Sequence, residues 1–231
     1  MIIDCSDIPG GDTKRVDGTT DLIMNWQDYK QGFGDLTPGY WIVNTSPYSD
    51  KPNEQFKDLH ARCNTLIVEM LFVRRLKFIV MTFVVIGNDN LHKILSKKNY
   101  KLRIDLKDWN GDTAYAEYDT FVVGSEETNY VLSISGYNGN AGDSIINPPS
   151  GSVYQMNGME FSTPDRDNDK HQFGNVAQQR RLGWWFNWGT DANLNGIYYT
   201  EGQTATDGIY WNSWQPSDYF LKSVSMKIKP V

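Results

Sequence analysis

Cysteine and histidine are scarce in this 231-residue chain, which has two Cys (Cys5, Cys63) and three His (His60, His92, His171). Two thiols cannot build a four-thiolate zinc site or staple a small secreted domain. Three imidazoles leave few players for His-based metal or nucleophile chemistry. Positive charge is also short: 22 Lys and Arg face 28 Asp and Glu, a formal net charge of -6. Nothing in the sequence suggests a basic face, which argues against nucleic-acid binding by phosphate neutralisation. Glycine follows no three-residue period, so the chain is not collagenous. No Gly-x-Ser-x-Gly elbow, phosphate loop, dinucleotide fingerprint or metalloprotease helix occurs, and the chain is expected not to be an enzyme. After Met1 there is no positive stretch followed by an apolar core. Taken alone, that places the chain in the cytosol or leaves its true N-terminus missing. The most apolar stretch, residues 66–86, is interrupted by Glu69, Arg74, Arg75 and Lys77. Its longest uncharged run, residues 78–86, is too short to cross a bilayer, so no membrane span is expected.

The residues present describe a globular protein. It is 39% hydrophobic and 13% aromatic, with 8 Trp, which is ample for a buried core. Residues 25–30 (NWQDYK) read as a short helix closed by glycine. Residues 101–106 (KLRIDL) and 114–121 (AYAEYDTF) alternate apolar and polar around an Asn110-Gly111 turn, the pattern of a β-hairpin. Residues 129–136 (NYVLSISG) read as a third strand, with Leu132 and Ile134 on one face. Three strands with short connections predict an antiparallel sheet with one packed face. From Gly136 onward the sequence is rich in Gly, Asn, Asp, Trp and Tyr with little periodicity. No linker or repeat divides it, so a single domain is expected.

The segment Asp165-Arg166-Asp167-Asn168-Asp169 places carboxylates at alternate positions, which can bring two or three of them to one point. Hard oxygen ligands of that kind suit Ca2+. The loop is not an EF-hand, because Lys170 stands where Gly is needed and Val176 where a bidentate Glu is needed. A solvated acidic turn, with Asp and Asn capping their own backbone, is the competing reading.

Residues 25–34 (NWQDYKQGFG), 87–94 (GNDNLHKI), 100–111 (YKLRIDLKDWNG), 137–144 (YNGNAGDS), 159–169 (MEFSTPDRDND), 208–211 (GIYW) and 226–230 (MKIKP) run in an order that resembles the fibrinogen C-terminal domain family. The likeness extends to its ficolin- and tachylectin-type invertebrate lectins. The resemblance implies an α+β module with a central antiparallel sheet and a loop-rich subdomain carrying calcium and ligand sites. It implies Asp167 and Asp169 as side-chain calcium ligands, with backbone carbonyls near His171 and Phe173 completing the shell. It also implies a secreted, extracellular protein whose signal was lost with its true N-terminus. Any oligomer would form through those missing N-terminal regions.

Several positions depart from the family pattern. A cysteine pair of the family is replaced by Val176 and Gly189. A Cys-His dipeptide that holds acetyl groups in the lectins is replaced by Gly189-Thr190. A pocket aromatic aligns near Ala205, while Phe186 keeps one aromatic wall. The equivalent ligand pocket would be lined by Gln179, Phe186, Trp188, Thr190, Ala205 and Thr206. Residues from about 43 to 86 form an atypical insertion, read either as translated intron sequence or as an exposed loop, and a transcript separates the two. The insertion carries Asn44-Thr45-Ser46, a glycosylation acceptor pattern. The leading expectation is calcium-dependent, lectin-like recognition of glycans or acetylated surface groups in innate defence. The alternative is an extracellular module of the same fold that binds proteins without a sugar site.

Overall fold

The structure is a computed structural model and describes residues 3–4, 22–34, 84–201, 203, 205–216 and 219–231. The expected insertion lies outside the described residues except at 84–86, as do Asn44, Cys5 and Cys63.

Helix α1 (Trp26–Gln31) begins where Asn25 and Asp28 cap one another: the Asp28 N–H donates to Asn25 Oδ1 at 2.9 Å, and the Asn25 N–H donates to Asp28 Oδ2 at 3.2 Å. Trp26 and Tyr29 lie three residues apart on one face and are buried together. Gly32, at φ 91°, ends the helix and leads into β2 (Gly32–Gly34), which pairs with β3 (Val84–Ile86). Helix α2 (Asn88–Leu95) buries Leu91, Ile94 and Leu95, again at helical spacing.

The main sheet contains β1 (Ile3–Asp4), β4 (Tyr100–Lys107), β5 (Thr113–Val123), β6 (Leu132–Gly139) and β9 (Ser223–Pro230). Its order is β1-β9-β4-β5-β6, antiparallel throughout except for the two-residue parallel pairing of β1 with β9. The hairpin expected from alternation is β4–β5, with Leu102, Ile104 and Leu106 facing Ala114, Ala116 and Tyr118 across the packed side. Strand β6 begins at Leu132 rather than 129, because Asn129 and Tyr130 adopt φ of 50° and 52°. Gly136 stands opposite Asp119 at φ +75°, where an added Cβ would meet the Asp119 side chain at 2.7 Å. The inward face changes phase there, from Phe121 and Val123 to Ala114, Ala116 and Tyr118. The expectation of little regular structure after Gly136 fails at β9, which lies inside the sheet and buries Val224, Met226 and Ile228.

Beyond β6 the backbone is mostly loops, with α3 (Val176–Arg180) and the short pair β7 (Ala192–Asn193) and β8 (Tyr210–Trp211). Two buried carboxylates organise these loops where a ladder does not. Asp143 accepts from the Tyr118 hydroxyl at 2.8 Å, from three backbone N–H groups (Ile145, Ile146, Asn147) and from the Asn147 side chain. Asp191 accepts from the Ser150 N–H, the Ser150 hydroxyl and the Asn212 side chain, each at 2.8 Å. Indole donors add further ties, Trp185 to the Tyr130 carbonyl at 2.7 Å and Trp211 to the Gly142 carbonyl at 3.0 Å. Buried polar groups satisfied in this way hold irregular backbone at little net cost.

Candidate functional site

The acidic loop is built on α1. The Trp26 N–H donates to Asp165 Oδ1 at 2.8 Å, and the Thr163 hydroxyl donates to the same oxygen at 2.7 Å. The Arg166 guanidinium lies 3.8 Å from the Trp26 ring centroid and donates to Asn129 Oδ1 at 2.6 Å. Asp165 and Arg166 are therefore anchors for the loop. Of the three alternating carboxylates, Asp165 is engaged elsewhere, and Asp167 and Asp169 remain together.

Asp169 is half-buried and its two oxygens accept from the N–H groups of His171 and Val176, both at 2.8 Å. The Asp169 N–H in turn donates to Asp167 Oδ1 at 3.2 Å. Burial raises the Asp169 carboxyl above its usual range, the two backbone donors oppose that rise, and the neighbouring Asp167 charge adds to it. Among the described residues neither carboxylate has an ion pair, and the carbonyls of His171 and Phe173 accept no hydrogen bond. A divalent ion suits this donor set, because it would offset the repulsion between two carboxylates and use carbonyl oxygens otherwise without partners. Among the described residues no cluster of three or more His, Cys, Asp or Glu could hold a metal, so any ion here needs backbone oxygens as well.

The loop also displays aromatic rings. His171, Phe173 and Trp188 meet with centroids 5.4–6.2 Å apart. Phe173 is 79% exposed and Trp188 39%. His171 faces the Gly174 carbonyl through Nδ1 at 3.0 Å; a carbonyl only accepts, so the proton is on Nδ1. The Trp188 backbone N–H donates to the carbonyl of Val153, a residue that is itself 47% exposed.

The expected ligand-pocket residues are dispersed by depth. Phe186 and Thr190 are buried, and the Thr190 hydroxyl donates to the Ala192 carbonyl at 2.8 Å. Gln179, Trp188 and Thr206 are exposed, and Ala205 is half-buried. Arg180, at the end of α3, donates to the Thr206 carbonyl and bridges the two loops. A side chain at Gly189 would meet the Tyr154 ring at 2.6 Å, so Tyr154 occupies the space that the family pattern gives to a cysteine. Val176, at the other cysteine position, is buried on α3. Sequence reasoning named Phe173 for its carbonyl and missed its ring. It also missed Tyr154 and Arg180, for which the sequence holds no local signal.

A family profile described as the C-terminal globular domain of fibrinogen beta and gamma chains matches residues 12–51 and 77–231. The protein is 35% identical over 225 residues to fibrinogen-like protein 1 of Homo sapiens, covering 94% of this chain and 58% of that protein. It spans about half the length of the curated relatives it matches. Among solved structures, the fibrinogen-like globe domain of human ANGPTL2 matches with TM-score 0.68 and 30% identity, covering 99% of this chain and 84% of that one. A lamprey fibrin D-dimer, complexed with the peptide ligand Gly-His-Arg-Pro-amide, matches with TM-score 0.69 and 31% identity, covering 94% of this chain and 59% of that one. These likenesses are to fibrinogen-like and angiopoietin-related proteins and do not single out the ficolin and tachylectin lectins.

Proposed function

Since the protein belongs to the fibrinogen C-terminal globular domain family, we propose that it is an extracellular, non-enzymatic module that docks another protein. The observation that carries this reading is the ring trio His171, Phe173 and Trp188, of which Phe173 and Trp188 are exposed. Exposed aromatic clusters on a rigid base are the usual anchors of protein interfaces. The base is held by Asp165 and Arg166, which tie the loop to Trp26 on α1. The peptide held by the lamprey protein supports peptide or protein chemistry for this fold. Calcium-dependent binding of glycans or acetylated groups has less support, because Phe186 and Thr190 lie buried. Asp167, Asp169 and the carbonyls of His171 and Phe173 would hold Ca2+, and a bound ion would supply the positive charge that fixes this loop.

The test compares the wild-type protein with Phe173→Ala/Trp188→Ala on arrays of extracellular proteins and of glycans, in calcium and in EGTA. The expected result is protein signals that the double variant loses. Calcium-dependent signal on acetylated sugars alone would overturn the reading in favour of a lectin, and protein signals unchanged in the variant would remove the ring trio from it.

A further inference from the structure

The sequence holds four Asn-Gly pairs, at 110–111, 138–139, 157–158 and 195–196. In this dipeptide the glycine backbone nitrogen can attack the asparagine side-chain amide, because no Cβ on glycine blocks the approach. Attack needs a backbone N–H and a side-chain amide that are both free to move. The fold withholds that freedom from three of the pairs. Asn195 is 3% exposed, and its side-chain amide donates to the Gly183 carbonyl at 3.0 Å. Asn157 Oδ1 accepts from the Ile134 N–H at 3.0 Å, and the Gly158 N–H donates to the Leu132 carbonyl at 2.8 Å. Asn138 and Gly139 lie within β6, in register with Glu117 and Ala116 of β5. An added Cβ at Gly139 would meet the Tyr115 carbonyl oxygen at 2.3 Å, so this backbone is pressed against its neighbour strand.

The pair at 110–111 is placed differently. It forms the tip of the β4–β5 turn, and the fold fixes the residues on either side of it. The Asp108 N–H donates to the Asp112 carbonyl at 3.0 Å, and the Asp112 N–H donates to Asp108 Oδ1 at 2.8 Å. The Trp109 N–H donates to the Tyr219 hydroxyl at 2.8 Å. Asn110 and Gly111 are both exposed, and the Asn110 side chain has no hydrogen-bond partner among the described residues. The Gly111 N–H reaches only the Asp108 carbonyl, at 3.4 Å, and an added Cβ at Gly111 would have nothing within 4 Å. We infer that Asn110 is a site of spontaneous covalent modification, converting to aspartate and isoaspartate through a cyclic imide with Gly111. Solvent hydroxide takes the Gly111 N–H proton, and the nitrogen bonds to Asn110 Cγ. The Cγ–Nδ2 bond breaks and Nδ2 leaves as ammonia. Water then opens the imide at either carbonyl, so that amide and water become carboxylate and ammonium. Both products add negative charge beside Asp108 and Asp112, and isoaspartate also lengthens the turn backbone by a methylene.

The test ages the purified full protein in mildly alkaline buffer, in its native state and in urea. Cleavage after aromatic residues puts the four pairs on separate peptides, and mass spectrometry follows the conversion of each. Isoaspartate is counted by methyl transfer from S-adenosylmethionine with an isoaspartate carboxyl methyltransferase. A hydrogen bond that must open first slows the step about five-fold. Native protein is therefore expected to convert Asn110 at least about five-fold faster than Asn138, Asn157 or Asn195, and urea should bring the four rates together. Asn110→Gln, whose longer side chain closes the ring slowly, should lose most of the methyl acceptance and keep the native Tm. Equal rates at the four sites in native protein, or conversion of Asn138 ahead of Asn110, would overturn the inference. A preference for Asn110 that persists undiminished in urea would overturn the turn as its cause. Methyl acceptance unchanged in Asn110→Gln would place the modification elsewhere and overturn the assignment.

Discussion

Removing the Asp143 carboxylate should sharply destabilise the loop-rich half. Asp143 is 8% exposed and answers five donors, of which the Tyr118 hydroxyl is wholly buried. Burial, then the facing Asp143 charge, pushes the Tyr118 hydroxyl far above its usual range, so it stays a donor at every pH the fold survives. In Asp143→Ala the Tyr118 hydroxyl and the Ile145 N–H lose their partner inside the protein, while the donors of exposed Asn147 can turn to water. At about 1–3 kcal/mol for each buried donor left unsatisfied, the expected loss is about 3–4 kcal/mol. For a domain of this length that lowers Tm by about 10 °C. Tyr118→Phe removes only one donor and should cost about 1–2 kcal/mol in the wild-type background. In the Asp143→Ala background it should cost nearly nothing, because the orphaned hydroxyl is removed with it. Urea unfolding of the four proteins of this double-mutant cycle measures the coupling. A loss below about 1 kcal/mol for Asp143→Ala, or equal costs of Tyr118→Phe in both backgrounds, would refute the assignment of Asp143 as the hub of these loops.

Calcium should stabilise the protein, by about 2.7 kcal/mol at a hundred-fold excess over its Kd, and Asp167→Ala/Asp169→Ala should abolish the effect in a thermal scan. In EGTA the raised Asp169 pKa sets the sign of a pH effect. Its contribution to stability is present below the ordinary carboxylate range and is lost as pH rises through the raised value, so metal-free protein should be relatively stabilised near pH 4 at this position. Asp169→Ala should remove that component of the stability–pH curve. Phe173→Ala and Trp188→Ala should change stability by no more than about 0.5 and 1 kcal/mol, because the side chains are substantially exposed, even though they abolish partner signals. Arg166→Ala should cost about 1–2 kcal/mol, from its contact with Trp26 and its bond to Asn129, and chemical unfolding reads this directly.

Local rules made the first half of the described fold legible. Asn25 and Asp28 announce the start of α1, and strict alternation around Asn110-Gly111 announces the β4–β5 hairpin. The rules fail where non-local contacts decide. Asn129 and Tyr130 take left-handed conformations that nothing in their identities requires, which delays β6 by three residues. Val224, Met226 and Ile228 alternate as strand residues should, yet the signal is one short run at the end of an aperiodic stretch. At the site, the alternating carboxylates were visible in the sequence, but the diversion of Asp165 to Trp26, 139 residues away, was not. Nor could sequence show that Tyr154 fills the space over Gly189, or that the Phe173 ring turns outward beside Trp188. These depend on how loops far apart in sequence pack, and no short-range pattern encodes that.

Hydroxyl-radical footprinting of this protein in complex with a partner recovered from the array tests the assignment of the docking surface most directly. Protection centred on Phe173 and Trp188, extending to Val153, is the predicted result. Protection confined to the outer face of the sheet, around Tyr115, Arg103 and Lys227, with Phe173 and Trp188 as reactive as in the free protein, would contradict it.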